Sequence, residues 1–148
     1  MEISPKVRSH IDNVLSSQKI AVLGTSKDGE PYSCLIAFAV TDDLKEMVFA
    51  TMRQRLKYTN IMNNPRVTLI IDNRDVKASD FNDTTSITMI GTAWDVKGDG
   101  RDQYAALLLK QHPALTDFVN SPDCAVLRVE IDKIYIVNEF ESVIKLQT

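Results

Sequence analysis

Three cations stand at alternate positions just past an apolar run: Arg53, Arg55 and Lys57 follow Met47–Thr51. The run has a strand's length, and the polar stretch Arg53–Met62 reads as a short helix. The cations therefore lie where a strand gives way to a helix N-terminus. Free N–H groups and the helix dipole favour anions there and disfavour cations. Three positive side chains at this point cost stability unless an anion is held. Arginine grips a phosphate through two parallel N–H bonds, and lysine acts as a point charge. Thr51 adds a hydroxyl. The spacing points to a phosphate site with an apolar wall for a ring system. Spacing alone leaves a plain alternative open, a solvated basic loop, since charged side chains mostly face water. The glycines of a P-loop or a dinucleotide fingerprint are absent.

No Ser-His-Asp or Cys-His arrangement can be assembled from the remaining residues. The two histidines, His10 and His112, are distant and match no metal-ligand spacing, so no metal site is expected. Cys34 and Cys124 lie in or beside apolar runs and read as reduced and buried. Redox chemistry in this chain would be carried by a cofactor, with the protein supplying orientation and electrostatics.

The elements that must position the cations follow from periodicity. Ser4 and Pro5 read as an N-cap and first helical residue, with Val7, Ile11, Val14 and Leu15 at helical spacing. Strands are expected over Lys19–Ser26, Tyr32–Val40 and Met47–Thr51, with Asp28-Gly29 as a hairpin turn. The continuous apolar run Tyr32–Val40 predicts a strand covered on both faces. Asn63-Asn64-Pro65 stops the short helix. Arg66–Asp72 and Thr84–Val96 follow as strands, separated by a long polar loop, Asn73–Asp83. Gly91 inside the longer strand predicts a bulge or bend. Lys97–Gly100 reads as a turn, Tyr104–Gln111 and Leu115–Val119 as a helix pair, and Leu127–Ile131, Ile134–Val137 and Ser142–Leu146 as final strands. Roughly seven strands with Gly-containing turns predict an α+β fold dominated by antiparallel β, a barrel flanked by short helices.

A length of 148 residues fits a single domain over 1–148. The hydrophobic fraction of 44% and charged fraction of 25% are those of a globular chain. A net charge of -3 opposes nucleic-acid binding, because the partner is a polyanion. No apolar stretch approaches the roughly 20 residues of a membrane helix, and Ile3–Leu15 is amphipathic rather than a secretory block. A soluble cytoplasmic protein is expected.

From about Ser16 to Val137 the chain resembles the pyridoxamine 5'-phosphate oxidase-related family of FMN-binding split barrels. The resemblance is carried, in order, by Ala21–Ser26 before Asp28-Gly29-Glu30-Pro31, and by the strand Met47–Thr51. It continues with Arg55-Leu56-Lys57 leading through Asn60 to Asn63–Val67, and with the strand Ile87–Ala93. It implies a split β-barrel, bound FMN, and a homodimer with the flavin at the interface. By position, Cys34, Leu35, Ile36 and Ala37, continuing to Ala39, match a strand lining the isoalloxazine ring. Ala50 and Thr51 match residues beside the flavin and its phosphate tail, and Leu56 and Lys57 match an Arg-Lys pair on the phosphate. Ser86 matches a polar contact near the dimer interface. Cys34, Ala39 and Leu56 stand where the oxidase has Arg, Lys and Arg, and Arg53 and Arg55 would supply charge from nearby. The oxidase's C-terminal substrate motif is not found, which speaks against pyridoxamine phosphate as substrate. The implied activity is that of an FMN-dependent oxidoreductase on an unknown small molecule. The alternatives are a flavin-binding or electron-transfer module without turnover, or a split barrel holding deazaflavin or haem.

Overall fold

The computed structural model describes residues 2–74, 84–138 and 142–148. Helix α1 (Pro5–Ser17) starts where its cap is encoded: the Ser4 hydroxyl accepts from the Val7 N–H at 3.3 Å, and Pro5 takes the first helical position. Strands β1 (Ile20–Lys27) and β2 (Glu30–Ala37) form a hairpin across Asp28-Gly29, both with positive φ (52° and 81°), as the turn type demands. Then come β3 (Ala39–Val40), β4 (Glu46–Met52), α2 (Leu56–Asn63), β5 (Arg66–Asp72) and β6 (Ser86–Val96). Helix α3 (Asp99–Gln111), a 3-10 turn (Pro113–Leu115), α4 (Thr116–Val119), β7 (Cys124–Asn138) and β8 (Ser142–Gln147) complete the chain.

The strands form one antiparallel sheet in the order β2-β1-β5-β6-β7-β4-β3, with β8 added to β7. Its two ends, β2 and β3, are one stretch of chain interrupted at Phe38. The sheet therefore curls until its first and last strands meet, and the result is a split barrel. The inward residues alternate, as in β6, where Ile87, Met89, Gly91 and Ala93 are buried and Ser86, Thr88, Ile90 and Thr92 face outward. Phe49, Leu23, Met47, Leu69 and Leu127 fill the interior, with Ile11 and Val14 of α1 and Ile61 of α2 packed among them. On the outside, α3 packs Ala105 and Leu108 over Ala39, Val48 and Val126. None of the helices described is long and apolar enough to cross a membrane.

Gly91 marks the expected irregularity. The β6–β7 register shifts between Ile90 and Gly91, leaving Asp132 as the extra residue of β7. A Cβ on Gly91 would collide with the Glu130 carbonyl, so the sheet closes here only around a residue without a side chain.

Several expectations differ from what is observed. The run Tyr32–Val40 is two strands, and the first is not covered on both faces: Tyr32 and Leu35 are exposed, Leu35 by 67%. An unbroken apolar run has the same appearance whether its outward side meets a core or an open face. Helix α3 begins at Asp99, so only the first part of Lys97–Gly100 is a turn, with Gly98 at φ 68° as its N-cap. The segments Leu127–Ile131 and Ile134–Val137 merge into a continuous β7, because a bulge at Asp132 keeps the ladder intact, while Ser142–Leu146 is the separate strand β8. Cys124 is buried and free, whereas Cys34 is free but only half-buried. Of the polar stretch Asn73–Asp83, residues 75–83 lie outside the described residues.

Candidate functional site

Strand β2 pairs with β1 and β4 pairs with β7, but between Leu35–Ala37 and Ala50–Met52 no ladder joins β2 to β4. The chain joins them only beyond Phe38, through Ala39↔Val48 and Val40↔Met47. A cleft of about 210 Å³ opens at this split. One wall is Leu35, Ile36 and Ala37, and the other is Ala50, Thr51 and Met52. Alternate N–H and C=O groups of each facing edge lack a strand partner there, so the cleft offers backbone hydrogen bonds as well as apolar surface.

Arg55 and Lys57 line the same cleft. Neither forms an ion pair with a carboxylate among the described residues. Arg55 is the N-cap of α2, and no side chain caps the helix; the Tyr58 N–H donates to the Arg55 carbonyl at 3.1 Å, which leaves the Leu56 and Lys57 N–H groups open to an anion. The Thr51 hydroxyl is buried and donates to the Met52 carbonyl at 3.1 Å. Burial pushes the Cys34 thiol above its ordinary pKa, and Lys57 nearby partly offsets that rise.

Arg53 is not part of this group. Its guanidinium lies 3.5 Å from Asp95 on β6 and donates to the Cys124 carbonyl at 3.2 Å. The expected cluster of three cations is thus a pair in the cleft and a third engaged within the protein. Leu56, next on the helix surface, turns into a separate depression beside Pro31, Tyr32 and Asn60. Ser86 lies on the outward face of β6, opposite Asp72 and Val137, and does not reach the cleft of its own chain. Cys34 packs toward the barrel interior, and Ala39 is buried beneath α3.

Two residues enter the cleft that the cationic motif does not announce, Leu115 from the 3-10 turn and Phe118 from α4. Their helical spacing marks an apolar face, but nothing in that spacing says that the face closes a cleft formed some 60 residues earlier. A larger cavity of about 330 Å³ lies between α1 and the end of α3. On its lining, Arg8 bonds Asp12 at 2.9 Å and the Asp42 carbonyl at 2.7 Å, and Lys19 has no carboxylate partner among the described residues. The His112 Nε2–H donates to the Phe38 carbonyl at 2.8 Å. What sets the split apart is that two cations without carboxylate partners among the described residues, Arg55 and Lys57, stand together at one helix N-terminus. Among the described residues no group of three His, Cys, Asp or Glu side chains is placed to hold a metal ion.

A family model described as pyridoxamine 5'-phosphate oxidase matches residues 7–138. No curated protein matches the sequence. Among solved structures, the chain is similar to a heme binding protein from Mycobacterium smegmatis, with a TM-score of 0.84 at 16% identity. That match covers 99% of this chain but only 60% of the M. smegmatis protein, so this chain spans well under two thirds of that relative. A protein from Clostridium acetobutylicum related to general stress protein 26, of the pyridoxinephosphate oxidase family, gives a TM-score of 0.75 at 17% identity, covering 98% and 96% of the two chains. A FAD-binding protein from Mesorhizobium loti gives 0.70 at 19%, covering 86% and 90%. At these identities the likeness is one of fold.

Proposed function

We propose, since the chain belongs to the pyridoxamine 5'-phosphate oxidase family, that it binds flavin mononucleotide at the barrel split. The phosphate would lie against Arg55, Lys57 and the first turn of α2, and the ring would follow the free edge of Leu35–Ala37. The observation that carries this reading is that Arg55 and Lys57 share the cleft without carboxylate partners among the described residues. The residues fit the group: two cations for the phosphate, two unpaired strand edges for the ring's polar rim, and Leu35, Leu115 and Phe118 for its apolar faces. A bound flavin would supply hydride or electron transfer to a small molecule, while the chain's side chains bind it, orient it and exclude water.

A second copy of the chain completes this site. The cleft's 210 Å³ is below the roughly 300–1,000 Å³ of pockets that enclose a drug-sized ligand. Beside it, Leu35, Val22, Ile70 and Thr88 form a row across β2, β1, β5 and β6, with Leu35 and Ile70 exposed. Ser86 lies two residues from Thr88 on that outward face, about 16 Å from Leu35 at ordinary strand spacing. A two-fold pairing through this face would bring the Ser86 of each copy toward the other's cleft. A cytoplasmic setting with reduced thiols accompanies the reading.

Flavin is favoured over haem because the ten cleft-lining residues include no histidine, and His112 is turned to the Phe38 carbonyl. Titration of the purified protein with FMN, riboflavin and haem tests the proposal, together with mass spectrometry of any ligand carried through purification. Tight FMN binding near one per chain, on a dimer, is expected. Protein that binds haem or deazaflavin in preference, or no ligand, overturns it. Accelerated NAD(P)H oxidation by the loaded protein would separate an oxidoreductase from a flavin-binding module.

A further inference from the structure

We propose that Asp95 is a positioning residue for the phosphate site, an inference that rests on the flavin reading above. Asp95 is on β6, away from the cleft lining, and its side chain is only 7% exposed. One carboxylate oxygen, Oδ2, accepts from the Tyr58 hydroxyl at 2.7 Å and lies 3.5 Å from Arg53 Nη2. The other, Oδ1, is buried without a hydrogen-bond partner. Arg53 and Tyr58 bracket a six-residue segment, and the two cleft cations, Arg55 and Lys57, lie between them. A single buried carboxylate thus clips both ends of the turn that presents the cations.

The clip has further supports. The Arg53 N–H donates to the Asp123 carbonyl at 3.0 Å, and the Gln54 side chain donates to Asp123 Oδ2 at 3.0 Å. A buried ion pair contributes little net stability, and an unmatched buried oxygen subtracts from it. What the arrangement does supply is geometry. With Arg53 drawn to Asp95, the next alternate side chains enter the cleft, and a phosphate meets Arg55 and Lys57 already in place. Holding contacts before the ligand arrives lowers the ordering cost of binding.

Asp95→Asn removes the counter-charge of Arg53, and Tyr58→Phe removes the other anchor while keeping the ring. Affinities for FMN and riboflavin, which share the isoalloxazine ring and differ in the phosphate, are compared by flavin fluorescence. Each variant is expected to bind FMN about tenfold more weakly, the lower end of the loss when an outer group that orients a metal ligand is removed, with riboflavin affinity unchanged. FMN affinity that is unchanged or tighter in both variants overturns the assignment. Equal weakening of both flavins also overturns it, since that marks a general loss of structure. Wild-type protein that binds FMN no more tightly than riboflavin overturns the phosphate reading itself, and the role of Asp95 with it.

Discussion

Asn60 of α2 donates its side-chain amide to the Thr25 hydroxyl of β1 at 3.0 Å, with both residues buried. One turn further on, Asn64 bonds the Ser26 hydroxyl at 3.0 Å. These two bonds fix α2 against the barrel so that its first turn opens onto the cleft. Asn60→Ala leaves a buried hydroxyl without its partner. A loss of about 1–3 kcal/mol is expected from urea unfolding, with weaker FMN binding. Thr25→Val combined with Asn60→Leu should lose less stability than Asn60→Ala alone.

The double variant Arg55→Ala, Lys57→Ala removes both cleft cations. Charged hydrogen bonds contribute about 1.5–3 kcal/mol each, so the loss of two should lower FMN affinity by at least about a hundredfold while riboflavin binding holds. Equilibrium dialysis with both ligands reads the difference. An FMN affinity equal to wild type would place the anion elsewhere.

Cys34 offers a pH readout. Burial holds its thiol above the ordinary value, so at neutral pH the group is protonated and alkylates slowly. Its rate with a bimane reagent should keep rising beyond the pH at which a free cysteine levels off. Lys57 lowers the value, so Lys57→Ala should move the profile to still higher pH. A profile shifted the other way would mean that the lysine does not face the thiol.

Leu35→Glu places a charge on an exposed apolar residue at the edge of the cleft. If two copies pair through the row Leu35–Val22–Ile70–Thr88, sedimentation should give a dimer for the wild type and a monomer for the variant. FMN binding should fall along with dimerisation. A folded variant that remains dimeric would move the interface to another face.

Gly91→Ala drives a methyl group into the Glu130 carbonyl. The backbone must shift at the bulge, and overpacking of this kind costs about 1–3 kcal/mol. Thermal unfolding should show the loss, whereas Gly29→Asn, at an open turn with φ 81°, should be tolerated.

The barrel was largely legible because its signals are local. Ser4-Pro5, Asp28-Gly29 and Asn63-Asn64-Pro65 act within a few residues of where they stand, and β5 alternates along its length. The orientation of Arg53 was not legible, because its partner Asp95 is 42 positions away and nothing between them signals the pairing. Leu56 shows the limit of matching by position. One residue of helix is about 100° of rotation, enough to take it out of the cleft that Lys57 enters. Leu115 and Phe118 were visible as an apolar helical face, but only the closed sheet brings that face to the split.

The break at Phe38 allows one stretch of chain to serve two ladders, β1 before it and β4 after it. The binding space is accordingly a seam in the wall, and the interior stays solid with Phe49, Leu23 and Leu69. Cargo and scaffold are then governed by different residues. A handful of substitutions along the seam can retune what is held without disturbing the packing that keeps the protein folded.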